Sequence, residues 1–126
     1  QVGGVDTRGY ARYLLLEARE TAMAAELLEG ELRQRRDPLT LALAAWADLD
    51  LGYAAAAELK IREALATGYP EPLPYLVGAM VAAQREDAPA RERHLVRLSR
   101  QIFLLSPRER EIYARLKDSA LQPQKL

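Results

Sequence analysis

Cysteine is absent from this chain, which excludes disulfide bonds, thiolate nucleophiles and cysteine-ligated zinc or iron–sulfur centres. Asparagine is also absent, and there are only one histidine and three serines. A catalytic base needs an orienting carboxylate and a nucleophile, and a metal site needs several converging ligands. Neither pattern is visible, so the sequence predicts a protein that is not an enzyme and holds no metal or cofactor.

The chain also lacks an excess of charge of either sign, and it lacks long apolar runs. The 18 Lys and Arg residues balance 18 Asp and Glu residues, which argues against nucleic acid as a partner. No apolar run approaches the ~18 residues of a membrane span, so none is expected. A chain without thiols suits oxidising and reducing compartments alike, and the localisation stays open.

Alanine and leucine dominate what is present, with 22 residues each, whereas valine, isoleucine and threonine together contribute only 12. This composition predicts an all-α protein. Proline, glycine and capping residues divide the chain into helices. No glycine or proline separates the first two stretches, so one long helix from Arg8 to Arg35 remains an alternative. The predicted helices span approximately residues 8–19, 20–35, 39–51, 54–67, 72–84, 87–105 and 107–121.

The helix breaks recur at a regular interval. Pro38, Pro72 and Pro107 lie 34 and 35 residues apart, and each ends or opens a helix pair. The stretch 22–38 also matches 54–70 at an offset of 32, with Ala-Glu-Leu and the closing proline in register. A helix–turn–helix unit of about 34 residues has the period of a tetratricopeptide repeat.

The segment 39–70 resembles one such repeat, in a divergent form. Gly52 stands at the turn between the two helices, and Ala57 and Ala64 occupy the small contact positions. Asp48 replaces a tyrosine of the family pattern, and Leu41 replaces a tryptophan. The resemblance implies a single domain over residues 1–126, built as a short right-handed superhelix. Its units would be 7–38, 39–71 and 72–106, followed by a cap helix over 107–121.

In such a stack, the first helix of each pair lines a concave groove. The resemblance therefore implies a protein-interaction module that buries a peptide or helix of a partner protein around Trp46 and Met80. The alternative interpretation is that Trp46 belongs to the core. The groove residues predicted by the repeat register are Tyr10, Leu14, Ala42, Trp46, Leu49, Leu76 and Met80.

Two further functions stay open. Arg93, Arg97 and Arg100 share one helix face, and this basic stripe could receive an acidic peptide or a phosphate backbone, or simply face water. The second is a self-associating scaffold, with a homodimer as one form, in a bacterial regulator or a secretion or assembly complex. We expect His94 to be a structural histidine. In the cap helix we expect Tyr113 to face inward and Glu109 to face water.

Overall fold

A computed structural model describes the backbone of residues 6–121 and the side chains of residues 6–119. This part of the chain contains helices and turns but no strand, which confirms the all-α prediction. These residues form two compact units, an N-terminal unit that ends at Tyr69 and a C-terminal unit that begins at Pro70. The helices are α1 (Thr7–Tyr13), α2 (Thr21–Gln34), α3 (Pro38–Asp50), α4 (Ala54–Leu65), α5 (Leu73–Gln84), α6 (Ala88–Ser99) and α7 (Pro107–Leu121).

The first two helices are separate, which decides the question that the sequence left open. Helix α1 continues into a π-helical turn, Leu14–Ala18, and Arg19 then takes a left-handed conformation with φ 58°. The amide of Glu20 donates to the carbonyl oxygen of Leu14 at 2.8 Å, which closes this turn before α2 starts. Since Arg19 is not glycine, this conformation is locally strained.

Helix α3 begins at a side-chain cap. The carboxylate of Asp37 accepts hydrogen bonds from the amide and the hydroxyl of Thr40, both at 2.9 Å, and Pro38 occupies the first turn. Partial burial by itself would raise the pKa of Asp37. The Thr40 hydrogen bonds and the charges of Arg8 and Arg35 outweigh it, so the pKa lies below its ordinary value.

The turn from α3 into α4 lies at the predicted glycine. Gly52 has φ +93°, and the amide of Tyr53 donates to the carbonyl oxygen of Asp48 at 2.7 Å. Across this turn the two helices pack closely on alanine: Ala57 and Ala64 are fully buried. Helix α3 also contacts α1 and α2, so it lies at the centre of the N-terminal unit.

In the C-terminal unit, α5 packs on α6, and α7 contacts both. Helix α6 is shorter than predicted: it ends at Ser99, and a 3-10 turn over Ile102–Leu104 follows. Helix α7 starts with a reciprocal cap, in which Glu109 accepts from the amide of Ser106 and donates its own amide to the Ser106 hydroxyl. This cap corrects the expectation that Glu109 faces water, because the residue is 1% exposed. Tyr113 is buried as predicted.

Candidate functional site

The structure places the predicted groove residues in three different environments. Tyr10 is 48% exposed, whereas Leu49 and Met80 are half-buried. The remaining four are core residues, which corrects the groove prediction at those positions: Leu14 (3% exposed), Ala42 (0%), Trp46 (4%) and Leu76 (0%).

The physical reason is that α3 and α5 carry very few polar side chains, and Thr40 and Asp48 of α3 are themselves buried. In α3 each residue from Thr40 to Asp48 is buried, and in α5 only Tyr75, Met80, Ala83 and Gln84 are more than marginally accessible. A helix without a polar face is buried all round, so it cannot line an open groove. This signal was present in the sequence, because PLTLALAAWA and LPYLVGAMVAA are nearly continuous apolar runs.

An exposed aromatic patch lies on α1 and α2 of the N-terminal unit. The rings of Tyr10 and Tyr13 are stacked, with centroids 6.4 Å apart and planes 12° from parallel. The Tyr10 hydroxyl points to the sulfur of Met23 at 4.0 Å. The exposed fractions of Tyr10, Tyr13 and Met23 are 48%, 53% and 46%. These three side chains form a contiguous accessible surface, which we call the tyrosine patch.

The N-terminal unit also contains a largely buried ion pair. The Lys60 ammonium on α4 lies 2.6 Å from Oδ2 of Asp48 on α3 and 3.6 Å from Oε2 of Glu29 on α2. The side chains of Lys60 and Asp48 are only 16% and 12% exposed. A second group of charges surrounds a cleft of about 650 Å³ on α2, where Arg35 pairs with Glu31 and Asp37. In each group one cation pairs with two carboxylates of the same unit.

Of the three arginines of the basic stripe, one packs against the fold and two are exposed. The guanidinium of Arg97 lies 4.7 Å from the ring centroid of Tyr75, and its Nη1 donates to Oε1 of Gln101 at 2.6 Å. Gln101 in turn donates through Nε2 to the carbonyl oxygen of Pro70 at 2.8 Å. Arg93 and Arg100 are exposed. Arg97 is therefore fixed by packing, while its two neighbours point to solvent.

His94 is half-buried against α5, in agreement with the structural role predicted for it. Its ring lies against Gly78 and 6.2 Å from the ring centroid of Tyr75. Burial lowers the pKa of His94 below its ordinary value, and the charge of Arg93 lowers it further, against a smaller opposing effect of Asp87. The neutral imidazole is thus the form that this contact favours.

Sequence reasoning missed the exposed residues that follow α6. Phe103 is 73% exposed and Leu104 is 50% exposed, although both belong to an apolar run that the sequence assigned to the helix. The signal available was the Ser106-Pro107 helix start, which leaves the preceding residues in a connection rather than a packed helix.

Within residues 6–121, no three His, Asp or Glu side chains come together in a way that could hold a metal ion. None of the described helices combines the length and the apolar character needed to cross a membrane. The chain matches no protein-family model, no curated protein and no solved structure. Its function is therefore inferred from its own residues.

Proposed function

We propose that this chain is a non-enzymatic scaffold of tetratricopeptide-like helix pairs that binds a helix or extended segment of a partner protein. The repeat spacing supports the architecture, since α3 with α4 and α5 with α6 each form a contacting pair. Gly52 and the buried alanines Ala57 and Ala64 lie where the repeat pattern calls for a turn and close contacts.

The tyrosine patch is the observation that carries the binding proposal. Tyrosine is enriched among the residues that dominate binding energy at interfaces, and methionine adapts its shape to different partners. Tyr10 and Tyr13 already stack on each other, so little side-chain entropy remains to be lost on binding.

Photo-crosslinking tests the proposal directly. A photoreactive p-benzoylphenylalanine replaces Tyr13, and in a matched control it replaces Tyr53, which is 61% exposed in the same unit. We expect a discrete crosslinked partner at position 13 that is absent at position 53. Unmodified chain should compete for this adduct, and the Tyr10→Ser/Tyr13→Ser variant should compete about tenfold less well.

Light scattering separates this function from self-association. If the crosslinked partner is a second copy and the dimer weakens in the Tyr10→Ser/Tyr13→Ser variant, the chain is a self-associating scaffold. Equal crosslinking at positions 13 and 53, or equal competition by the variant, would contradict a binding role for the tyrosine patch.

A further inference from the structure

A second accessible surface runs along α6 into the 3-10 turn of the C-terminal unit. Arg93, Val96, Arg97 and Arg100 follow the spacing i, i+3, i+4 and i+7, which aligns them on one face of a helix. Phe103 and Leu104 follow in the 3-10 turn beyond the end of α6. Val96, Phe103 and Leu104 are 46%, 73% and 50% exposed. We call these six residues the basic ridge.

The exposed end of the basic ridge is held in place. The amide of Leu104 donates to the carbonyl oxygen of Gln101 at 2.9 Å, and the side chain of Gln101 is itself held by Arg97 and Pro70. On the other side of Phe103, Leu105 is 3% exposed. The phenylalanine therefore projects from a fixed backbone, so little backbone ordering is needed when a partner binds.

Basic side chains outnumber acidic ones along the ridge. The stretch 88–110 contains six arginines and two glutamates, and one of these, Glu109, is buried in the cap of α7. In the part of the chain that the structure describes, Arg93 and Arg100 form no ion pair. Their charges are accordingly available to carboxylates from outside.

We propose that the basic ridge binds an acidic amphipathic helix of a partner protein. Apolar side chains of that helix would cover Val96, Phe103 and Leu104, while carboxylates beside them would pair with Arg93 and Arg100. Guanidinium groups suit this role, because they bind carboxylates in a bidentate geometry.

The balance of charges favours a protein over a polyanion. Only Arg93 and Arg100 of the ridge arginines are exposed, and the C-terminal unit carries 10 basic against 7 acidic side chains in its sequence. Tight nucleic-acid binding rests on many phosphate contacts, whereas this ridge combines few charges with three apolar side chains. The inference shares with the proposed function only the premise that the chain binds proteins, and it concerns a different surface.

Fluorescence anisotropy with a synthetic probe tests the inference. The probe is a fluorescein-labelled peptide of about 20 residues that forms an amphipathic helix, with leucine on one face and glutamate on both sides. We expect saturable binding that weakens at about 0.5 M NaCl, because the charge pairs are screened. Phe103→Ser and Arg100→Glu should each weaken binding about tenfold.

Matched controls distinguish this surface from the rest of the molecule. Leu59→Ser and Arg62→Glu change an exposed leucine and an exposed arginine of the N-terminal unit, and should leave the affinity unchanged. The double variant Tyr10→Ser/Tyr13→Ser should also leave the affinity for the probe unchanged. A wrong proposal for the tyrosine patch and a wrong proposal for the basic ridge therefore give different results.

Four outcomes would overturn the inference. These are no binding of the probe, equal binding of a scrambled peptide of the same composition, equal binding by the ridge variants, and tighter binding of poly(U) or of vesicles containing phosphatidylglycerol. The last result would assign the ridge to nucleic acid or to a membrane surface.

Discussion

The imidazole of His94 lies directly against Gly78, so closely that a Cβ atom at position 78 would be 2.9 Å from Nε2. A larger residue would push the ring away from α5 and disturb its contact with Tyr75. The absence of a side chain at position 78 is therefore what allows α6 to bring its histidine onto α5.

Gly78→Ala should destabilise the protein by about 1–2 kcal/mol. Overpacking against His94 costs about 1–3 kcal/mol, and the better helix propensity of alanine recovers up to about 1 kcal/mol. Urea unfolding measures the change. In a His94→Ala background, which removes the ring, the same substitution should become neutral or stabilising. An equal loss in both backgrounds would mean that the ring contact is not the cause.

His94 should make stability depend on pH. Because the folded state lowers its pKa from the ordinary value of 6.5, the unfolded chain binds the proton more readily. Its contribution is therefore complete above pH 6.5 and is lost as the pH falls from there towards the folded-state pKa. His94 is the chain's one histidine, so thermal unfolding of His94→Gln should lack this dependence. A variant that retained the full slope would contradict the assignment.

Asp48→Asn should cost about 2 kcal/mol, because it leaves the largely buried Lys60 ammonium with Glu29 alone, 3.6 Å away. Glu63→Gln is the matched control. Glu63 forms a 2.9 Å ion pair with Arg36 in which both side chains are about half exposed, and its loss should cost less than about 1 kcal/mol. Similar losses in the two variants, by urea unfolding, would show that burial does not strengthen the Lys60 pair.

Two turn residues with positive φ, one a glutamate and one a glycine, should change the stability of the protein in opposite directions when they are substituted. Glu86 has φ 57°, so Glu86→Gly should stabilise the protein by about 1 kcal/mol through relief of strain. Gly52 has φ +93° with open space around its Cα, so Gly52→Ala should destabilise by about 1–2 kcal/mol through the backbone alone. Calorimetric melting of both variants checks the two signs.

Trp46→Ala should destabilise the fold by about 3–5 kcal/mol, the cost of truncating a fully packed aromatic side chain. Trp46 is 4% exposed, whereas Leu59 is 63% exposed, so Leu59→Ala should change the free energy of unfolding by less than about 0.5 kcal/mol. Circular dichroism during urea titration measures both. A loss near 1 kcal/mol for Trp46→Ala would place the indole at a surface instead.

The candidate sites were only partly predictable. The repeat register singled out Tyr10 as a groove residue. Helical spacing singled out the arginines of the basic stripe, because it shows which residues share a face. The spacing did not show that Arg97 packs over Tyr75, a residue more than 20 positions away in the chain. Phe103 was missed because local propensity cannot distinguish the last turn of a helix from a short 3-10 connection.

The sequence by itself determined the all-α class and most helix boundaries, including the turn at Gly52 and the starts of α3 and α7. These features depend on neighbouring residues: a proline, a capping side chain, or a glycine with positive φ. Only the tertiary structure decided that Glu109 is buried and that Tyr10 is accessible, whereas the apolar run of α3 already contained the signal for a buried Trp46. Burial is set by which helices pack on a given face, and that depends on residues far apart in the chain.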